Sequence, residues 1–476
     1  MAYRIGNREQ TTFLPPCITD YVGPDDPARA YDAFVEALDL QELGFSINSD
    51  KVGNSSYCPK SMLKLIIYGC SYGIRSSRKL ERATRHNLSF IWLVNGLEPN
   101  FKTISEFRRK NKGPIAAVLK KCARMCIELD LIDGNCLFVD GSKIRANAGI
   151  KNTWTKEKCE KALGKIDKRI EEILKECEDA DQGERENSSL VSMKEELKDK
   201  RVLKAKVEEI VRELDKNEKK SSLNTTDGDC VKVKGIQGVH AGYNAQSVVD
   251  GKNGIIAHVN VVNDNNDLNQ FSSQINQANE VVGNRCRFAV ADAGYDNVDD
   301  LKKIDDQGIK VIVPQQRHAS GKPDKGFDKE NFEYDAENDR YICPEGNSLD
   351  FRTVNAAKRS KVYQITDKSL CLNCAHFDKC AGNAQGRSVT RLLNEETRQK
   401  LRSQYEESAS KAIFKLRGRK VEHPFGHIKR NLGVHAFLLR GLEGVNAEMS
   451  IFATSFNIAR MITIFGVSGL VGKLLG

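Results

Sequence analysis

Three acidic residues occupy positions at which a carboxylate could take part in catalysis. Asp140 and Asp292 each follow a short apolar run and precede small residues, in "FVDGS" and "AVADAG". This pattern predicts a carboxylate at the tip of a buried strand, in the crevice where open α/β sheets bind their ligands. The third acid, Glu422, lies in the cationic segment "GRKVEHPFGHIKR", residues 418–430, which we call the basic strip.

Three neighbouring carboxylates would support metal-dependent chemistry on a phosphodiester. Close carboxylates repel each other unless a proton or a cation neutralises them. Two Mg²⁺ or Mn²⁺ ions and an anionic substrate make such an assembly favourable, as in two-metal catalysis of in-line attack at phosphorus. If the strands at 137–145 and 288–292 are neighbours, Asp140 and Asp292 approach each other, and the cations of the basic strip can bind phosphates.

Simpler interpretations of the same residues stay open. A single Asp at a strand end is commonly a turn or cap residue, and Glu422 could favour a helix N-terminus among neighbouring cations. Pro424 suits only the first turn of a helix, so the helix is expected to begin near Glu422 or to kink there. If Glu422 and Lys429 share one helix, two turns separate them and they face one side.

Size and charge set only broad limits on function. The chain has 476 residues, a net charge of +9 and a pI near 8.7, values that suit a globular protein with two or three domains. The positive charge is compatible with nucleic acid as a partner. Many proteins that bind no nucleic acid share such a bias, so charge alone does not decide.

The residues at the two ends of the chain indicate where in the cell the protein is expected to be. The N-terminal "MAYRIGNREQTTFLPP" lacks the apolar core of a secretory signal, so we expect a cytoplasmic protein whose fourteen cysteines are reduced. The apolar C-terminal stretch, residues 451–476, is interrupted by Asn457, Arg460 and Lys473. It predicts a buried helix rather than a membrane span, and no membrane partner is expected.

Periodicity divides the chain into a helical part and an α/β part. Residues 31–130 predict a compact helical domain with basic helices, which suits either contacts with a DNA backbone or a bundle with a solvated basic face. Residues 131–465 predict a mixed sheet in the order strand, helical insertion, hairpin, helix, strand, helix, strand. The flanking residues 1–30 and 466–476 are predicted to be tails.

Two insertions interrupt the predicted sheet. Residues 150–222 form two highly charged helical stretches and predict a helical hairpin or coiled-coil arm. Residues 318–392 are polar and hold clustered cysteines, which are Cys343, Cys371, Cys374 and Cys380. Four thiolates suit a closed tetrahedral Zn²⁺ site that would help a small polar segment to fold. Free thiols or a degenerate site are the alternative, and His376 is a less favoured ligand.

A resemblance to a known family rests on motifs that follow one another along the chain. The N-terminal part contributes "SRKLERATRHNLSFIWLVNG" and "FKTISEFRRKN". The later part contributes, in order, "LFVDGSKIRANAG", "GYNAQSVVD", "AVADAGYDN", "YICPEGN" with "CLNCAHFDKC", and "GRKVEHPFGHIKRNLG". Over residues 30–460 the chain resembles the DDE transposases of bacterial insertion sequences, in the branch with a helical N-terminal transposase domain and a Cys-rich insertion in the catalytic domain.

The resemblance implies an RNase H-like catalytic fold behind an all-α DNA-binding domain, with Asp140, Asp292 and Glu422 as the metal-binding triad. It implies binding to terminal inverted repeats, cleavage at 3′ ends with Mg²⁺ or Mn²⁺, and joining to target DNA. Strand transfer needs two ends together, so a homodimer in the DNA complex and association with the nucleoid are expected. The residues expected to contact DNA are Arg108, Arg109, Arg417, Arg419, Lys420, Lys429 and Arg430.

The match is incomplete at the residues that flank Glu422. In related transposases an Arg precedes this Glu at a fixed offset and a basic residue follows it. Lys429 agrees with the basic residue. Gly418 stands where the Arg is expected, so Arg417 or Arg419 is expected to replace it.

Two other functions are consistent with the same sequence pattern. A non-catalytic DNA-binding protein derived from a transposase would keep the basic segments and lose metal-dependent cutting, although the three intact acids argue against it. An RNase H-like nuclease without strand transfer would cut DNA with a divalent metal and release no joined product.

Overall fold

The computed structural model describes residues 17–47, 57–182, 187–216, 222–235, 238–316, 326–356, 359–381 and 383–476. The architecture is mixed α/β with an N-terminal helical region. Two compact units divide the chain. The first comprises Met1–Asp267, Asn276–Arg285 and Gly418–Gly476, and the second comprises Leu268–Ile275 and Cys286–Arg417.

Helices occupy the N-terminal part of the first unit, where a helical domain was predicted. They are α1 (Pro27–Glu36), α2 (Pro59–Ser71), α3 (Ser77–His86), α4 (Leu88–Leu93), α5 (Phe101–Lys110) and α6 (Lys112–Glu128). Local sequence determines where they begin. Asp26 accepts a hydrogen bond from the Ala28 amide ahead of α1, and Asn100 accepts one from the Thr103 amide ahead of α5. Of the predicted N-terminal tail, residues 1–16 lie outside the described part of the chain.

A sheet and a helical arm follow in the same unit. The elements are β1 (Cys136–Arg145), β2 (Thr153–Trp154), α7 (Lys156–Gln182), α8 (Asn187–Lys216), β3 (Leu223–Asn224), β4 (Val231–Gly235), β5 (Gly238–Asp250) and β6 (Ile256–Val262). β5 is the central strand, with β1 antiparallel on one edge and β4 and β6 antiparallel in succession on the other. At Gly242 a Cβ would lie 2.5 Å from Val233 Cγ2 and 2.7 Å from the Ile144 carbonyl oxygen, so close strand approach requires glycine there.

Asp140 lies within β1 and not at its tip. The register pairs Asp140 with Ser247 and continues as far as Arg145 opposite Gly242. The prediction that the strand ends at this acid is therefore wrong. Pairing continues because β5 is long enough to hydrogen-bond with β1 beyond the apolar run that the sequence pattern detects.

The helical arm occupies the insertion predicted at 150–222. Its helices α7 and α8 share an apolar cluster of their own, formed by Cys159, Ile166, Val207, Ile210, Leu214 and Leu223. Arg169 of α7 joins the two helices, since its guanidinium lies 3.0 Å from Glu196 of α8 and 3.0 Å from Glu176. β2 and β3 pair at the base of the arm. The arm thus has its own small core.

The next elements begin with a helix whose first residues belong to the second unit and whose later residues belong to the first, and the others lie in the second unit. They are α9 (Phe271–Val282), β7 (Phe288–Val290), α10 (Val298–Asp305), β8 (Lys310–Ile312), β9 (Glu333–Asp335), β10 (Arg340–Ile342), β11 (Ser348–Asn355), β12 (Ser360–Ile365), α11 (Lys368–Leu372), α12 (Phe377–Cys380), β13 (Ser388–Leu392), α13 (Glu395–Glu406) and α14 (Ser408–Arg417). β7 and β8 run parallel. β9 to β13 form an antiparallel sheet in the order β13-β12-β11-β10-β9. We call this sheet, with α11 and α12, the Cys-rich module; residues 318–325 of the predicted insertion lie outside the described part of the chain.

The basic strip contains two π-helical segments. A π-helix covers Gly418–Glu422, α15 covers His423–Gly426, and a second π-helix covers His427–Asn431. α15 begins with Pro424 in its first turn, as predicted, but helix also precedes it. Glu422 and Lys429 thus lie in one helical stretch that is not a regular α-helix, because a π-helical segment follows α15.

Two helices end the chain within the first unit. α16 (Gly441–Phe465) is buried along most of its length and packs against α2, α6 and β6. α17 (Val467–Leu475) packs against α1, so the residues predicted as a C-terminal tail form a helix. Among the described residues, no single helix has the length and apolar composition to cross a membrane; only α16 and α17 taken together do, and they bend by 108°.

Candidate functional site

Asp140 and Lys429 lie close together in the first unit. Asp140 and Ser142 are two residues apart on β1, so their side chains share one face of the strand. Lys429 donates a hydrogen bond to the Ser142 hydroxyl. Burial lowers the pKa of Lys429, and the neighbouring Asp140 carboxylate acts in the opposite direction. A half-buried cation therefore lies beside one of the three candidate acids.

Glu422 belongs to a segment that packs against the strand of Asp140. The π-helix Gly418–Glu422 contacts both β1 and β5. The Glu422 side chain is exposed and lies back over Gly418, where a Cβ would be 3.6 Å from Oε1 of the glutamate. Lys420 anchors the same segment by donating to the Lys252 carbonyl at 3.2 Å. The first unit thus presents one candidate acid on a strand and another on a helical segment packed against it.

Asp292 lies in the second unit, just after β7. Its carboxylate accepts a hydrogen bond from the Gly294 amide at 2.8 Å and caps a short 3-10 helix. Arg417 donates to the other carboxylate oxygen at 3.0 Å. The Arg417 side chain is 14% exposed, whereas that of Asp292 is 44% exposed. The carboxylate is therefore oriented by these two hydrogen bonds and remains partly accessible to solvent.

The donor chemistry of these acids fits a hard divalent cation. Carboxylate oxygens are the ligands that Mg²⁺ and Mn²⁺ bind in proteins. Across the part of the chain that the structure describes, no three His, Cys, Asp or Glu side chains are grouped closely enough to hold a metal ion. The three acids therefore match such an ion in the chemistry of their side chains.

Besides Arg417, Lys420 and Lys429, four more cations were predicted to contact DNA, and they fall into three groups. Arg419 and Arg430 are exposed, and within the described residues neither has an acidic partner at ion-pair distance. Arg109 is exposed and paired with Glu106 at 2.7 Å on the same helix. Arg108 turns inward, where it donates to the Arg75 carbonyl at 2.7 Å.

The inward position of Arg108 changes its interpretation. It lines an internal cavity with Arg75 and the buried Glu448, so its charge serves the interior of the helical region. We therefore leave Arg108 out of the surface proposed to contact DNA. Spacing alone did not distinguish it from Arg109, because both follow Phe107 in a run of cations.

Sequence reasoning missed two residues of the first unit that position charged groups. Ser142 holds Lys429, and its alternation with Asp140 along β1 was the available signal. Asp267 accepts hydrogen bonds from Asn244 at 2.7 Å and Gln246 at 2.8 Å and pairs with Lys143 at 3.4 Å. Because three donors hold its carboxylate, Asp267 has a structural role in the sheet.

The four clustered cysteines of the second unit lie around one cavity of the Cys-rich module. Cys343 comes from the turn between β10 and β11, and Cys371, Cys374 and Cys380 come from α11, α12 and the turn between them. None of these thiols forms a disulfide. The cavity is separate from the acids described above in both sequence and chemistry.

Two family models match the chain. Residues 16–110 match a transposase domain (DUF772), and residues 342–462 match a transposase DDE domain. The second match includes Glu422, the basic strip and the clustered cysteines, while Asp140 and Asp292 lie outside both matches. The mixed α/β architecture with its N-terminal helical region agrees with an RNase H-like fold. No curated protein and no solved structure matches the chain.

Proposed function

The chain belongs to the DDE transposases of insertion sequences, and we propose that it binds the terminal inverted repeats of its element, cuts the 3′ ends and joins them to target DNA. The observation that carries the proposal is the arrangement of Asp140, Lys429 and Glu422 in the first unit. A carboxylate on the central sheet, a cation beside it and a second carboxylate on the packed helical segment would suit an anionic substrate once a divalent metal ion neutralises the two acids.

The proposed catalytic set consists of Asp140, Asp292 and Glu422. DDE transposases generally use divalent metal ions such as Mg²⁺, which when bound neutralise the carboxylates and activate the attacking oxygen. Asp292 would join the other two acids in holding the ion. Its Gly294 hydrogen bond keeps one carboxylate oxygen oriented, and its partial exposure leaves room for a further ligand.

Arg417 has a specific part in this proposal. Its guanidinium neutralises Asp292 in the structure and so limits the repulsion that a second carboxylate would meet. With a divalent ion held at Asp292, the Arg417 guanidinium could bind a phosphate oxygen, a ligand that its planar donors match. Arg417 rather than Arg419 is then the arginine that replaces the one missing at Gly418.

The proposed DNA-contacting surface consists of Arg109, Arg417, Arg419, Lys420, Lys429 and Arg430. Arg419 and Arg430 would bind the phosphate backbone without competition from a protein acid. Lys429, next to Asp140, would bind a phosphate near the bond that is cut. Such contacts set position and affinity and carry no base specificity.

A homodimer would hold two element ends together for strand transfer. The helical arm is the candidate for contacts with the partner or with DNA, because its own apolar cluster lets it extend from the sheet without support. DNA as substrate implies that the protein works at the nucleoid.

The test is a cleavage and joining assay with the purified chain. The substrate is a duplex carrying one end of its element, taken from the DNA that flanks its coding sequence, with a supercoiled plasmid as target. We expect nicks with 3′-hydroxyl ends and end–plasmid joints in Mg²⁺, and neither product in EDTA. Nicking without joints would favour the nuclease, and binding without nicking would favour the non-catalytic DNA-binding protein.

A further inference from the structure

We propose that the Cys-rich module binds one structural zinc ion through Cys343, Cys371, Cys374 and Cys380. This site is independent of the proposed DNA chemistry, since it lies in the module and uses none of the three acids. Its role would be to hold the β10–β11 turn against α11 and α12.

The first support is the convergence of the four thiols from separate segments. Twenty-eight positions separate Cys343 from Cys371, yet both line the same cavity with Cys374 and Cys380. The thiols of Cys343, Cys371 and Cys374 are near enough to interact electrostatically with that of Cys380. The rest of the cavity wall is largely apolar, including Leu349, Ile365 and Phe377. Four thiols gathered in such surroundings match the donor set of closed zinc sites.

The second support is that backbone amides point at the sulfur atoms. Cys343 Sγ accepts from the Asn347 amide at 3.3 Å, and Cys374 Sγ accepts from the His376 amide at 3.5 Å. Cys371 Sγ accepts from the Arg387 amide at 3.5 Å. Amide donors stabilise sulfur when it carries negative charge, and such outer contacts orient the ligands of metal sites.

The third support is the small core of the module. Its buried cluster consists of Phe332, Tyr341, Leu349, Tyr363, Ile365 and Val389, with Cys343, Cys371 and Cys380 packed at its edge. A core in a segment below about 70–80 residues rarely provides enough stability alone, and a structural metal is one of the usual supplements. The cysteines lie where the cluster ends, so a bound ion would continue the core.

His376 is not needed as a ligand. Its Nε2 lies 3.5 Å from Glu345 Oε1, and its ring packs against Phe327 with centroids 4.9 Å apart. Those contacts orient the imidazole, while the four sulfurs alone satisfy tetrahedral zinc.

Binding requires the sulfurs to move inward. No three of them, nor any other His, Cys, Asp or Glu side chains of the described residues, are spaced to hold an ion in the structure. Zinc–sulfur bonds are about 2.3 Å long. The parts that must adjust are the tight turn after Cys343, where Gly346 has a φ of +80°, and the short helices α11 and α12 with the turn between them.

The test measures the metal content and Co²⁺ spectrum of the full-length chain, purified under reducing conditions without an affinity tag that binds metal. We expect about one zinc ion per chain, and a thiolate-to-cobalt charge-transfer band after replacement by Co²⁺. Cys374→Ser should lose the band and most of the zinc. The control Cys58→Ser, at an exposed cysteine of the first unit, should retain both.

Two results would overturn the zinc site. One is a wild-type chain that neither contains zinc nor develops the cobalt band after reconstitution. The other is a Cys374→Ser variant that keeps as much zinc as Cys58→Ser. The wild-type cobalt titration decides the question even if Cys374→Ser fails to fold, and neither readout depends on DNA cleavage.

Discussion

Replacing Asp292 with Asn should reduce DNA cutting and joining at least about a hundredfold, the loss typical when one group that stabilises transition-state charge is removed. Asparagine has nearly the shape of aspartate, and its amide oxygen can still accept the Gly294 hydrogen bond. It lacks the negative charge that a divalent cation needs from its ligand. Cleavage should therefore fail while the fold and DNA binding persist.

Asp306→Asn is the matched control for that variant. Asp306 is also in the second unit and pairs with a basic side chain, Lys302, at 2.6 Å, but its own side chain is 58% exposed. Breaking the exposed Asp306–Lys302 pair should cost no more than about 1 kcal/mol of folding free energy. Equal cleavage by the two variants, measured with the same element end in Mg²⁺, would remove Asp292 from the chemistry.

Replacing Glu448 with Ala should destabilise the first unit by about 3–5 kcal/mol, the usual cost of leaving a buried charge without its partner. Glu448 lies on α16 with its side chain 10% exposed and pairs with Arg75 at 3.3 Å. It also accepts hydrogen bonds from the Leu438 and Leu439 amides. Alanine would leave Arg75 and both amides without this acceptor.

Thermal unfolding of three variants on the same helix measures how much the buried Glu448 carboxylate contributes to stability. Glu448→Gln keeps an acceptor for the amides and should lose less stability than Glu448→Ala. Glu443→Ala is the control, because Glu443 is 69% exposed and lies 3.5 Å from Lys112, an exposed pair worth at most about 1 kcal/mol. Indistinguishable midpoints for Glu448→Ala and Glu443→Ala would show that the buried carboxylate contributes no more than a surface one.

The Glu448 network also shows what sequence analysis could not resolve. The residues Arg75, Arg108 and Glu448 are far apart along the chain, and periodicity places Arg75 and Arg108 among other surface cations. Only the packing of α16 against α2 and α6 brings them together around one cavity. The basic helix α5 therefore combines one inward-facing, structural arginine, Arg108, with one exposed arginine, Arg109.

Most strands and helices near the acids could be predicted from residue types. The hairpin around Asp250-Gly251 and the strand before Asp292 follow from alternating β-branched residues and turn signals. The position of Asp140 within β1 could not be predicted in this way, because the length of a strand depends on the strand with which it pairs. The apolar run marks only the buried part of β1, and pairing with β5 extends it to Arg145.

The helix type of the basic strip could not be predicted for a different physical reason. A seven-residue spacing corresponds to two turns only in a regular α-helix, whereas the strip has wide π turns on both sides of α15. Whether a turn is α- or π-helical depends on which backbone carbonyl each amide bonds to, and residue spacing does not reveal this. π segments inside helices occur frequently at functional sites, in agreement with the location of Glu422.

Metal-directed cleavage of the protein tests most directly whether Asp140, Asp292 and Glu422 bind divalent metal together, as we propose. Fe²⁺ replaces Mg²⁺ at carboxylate sites, and with ascorbate and peroxide it generates hydroxyl radicals that cut the nearby backbone. Mass spectrometry should find fragments that end close to residues 140, 292 and 422, and excess Mg²⁺ should suppress all three cuts together. Cuts near only one or two of these residues, or cuts that Mg²⁺ does not suppress, would contradict a shared metal site.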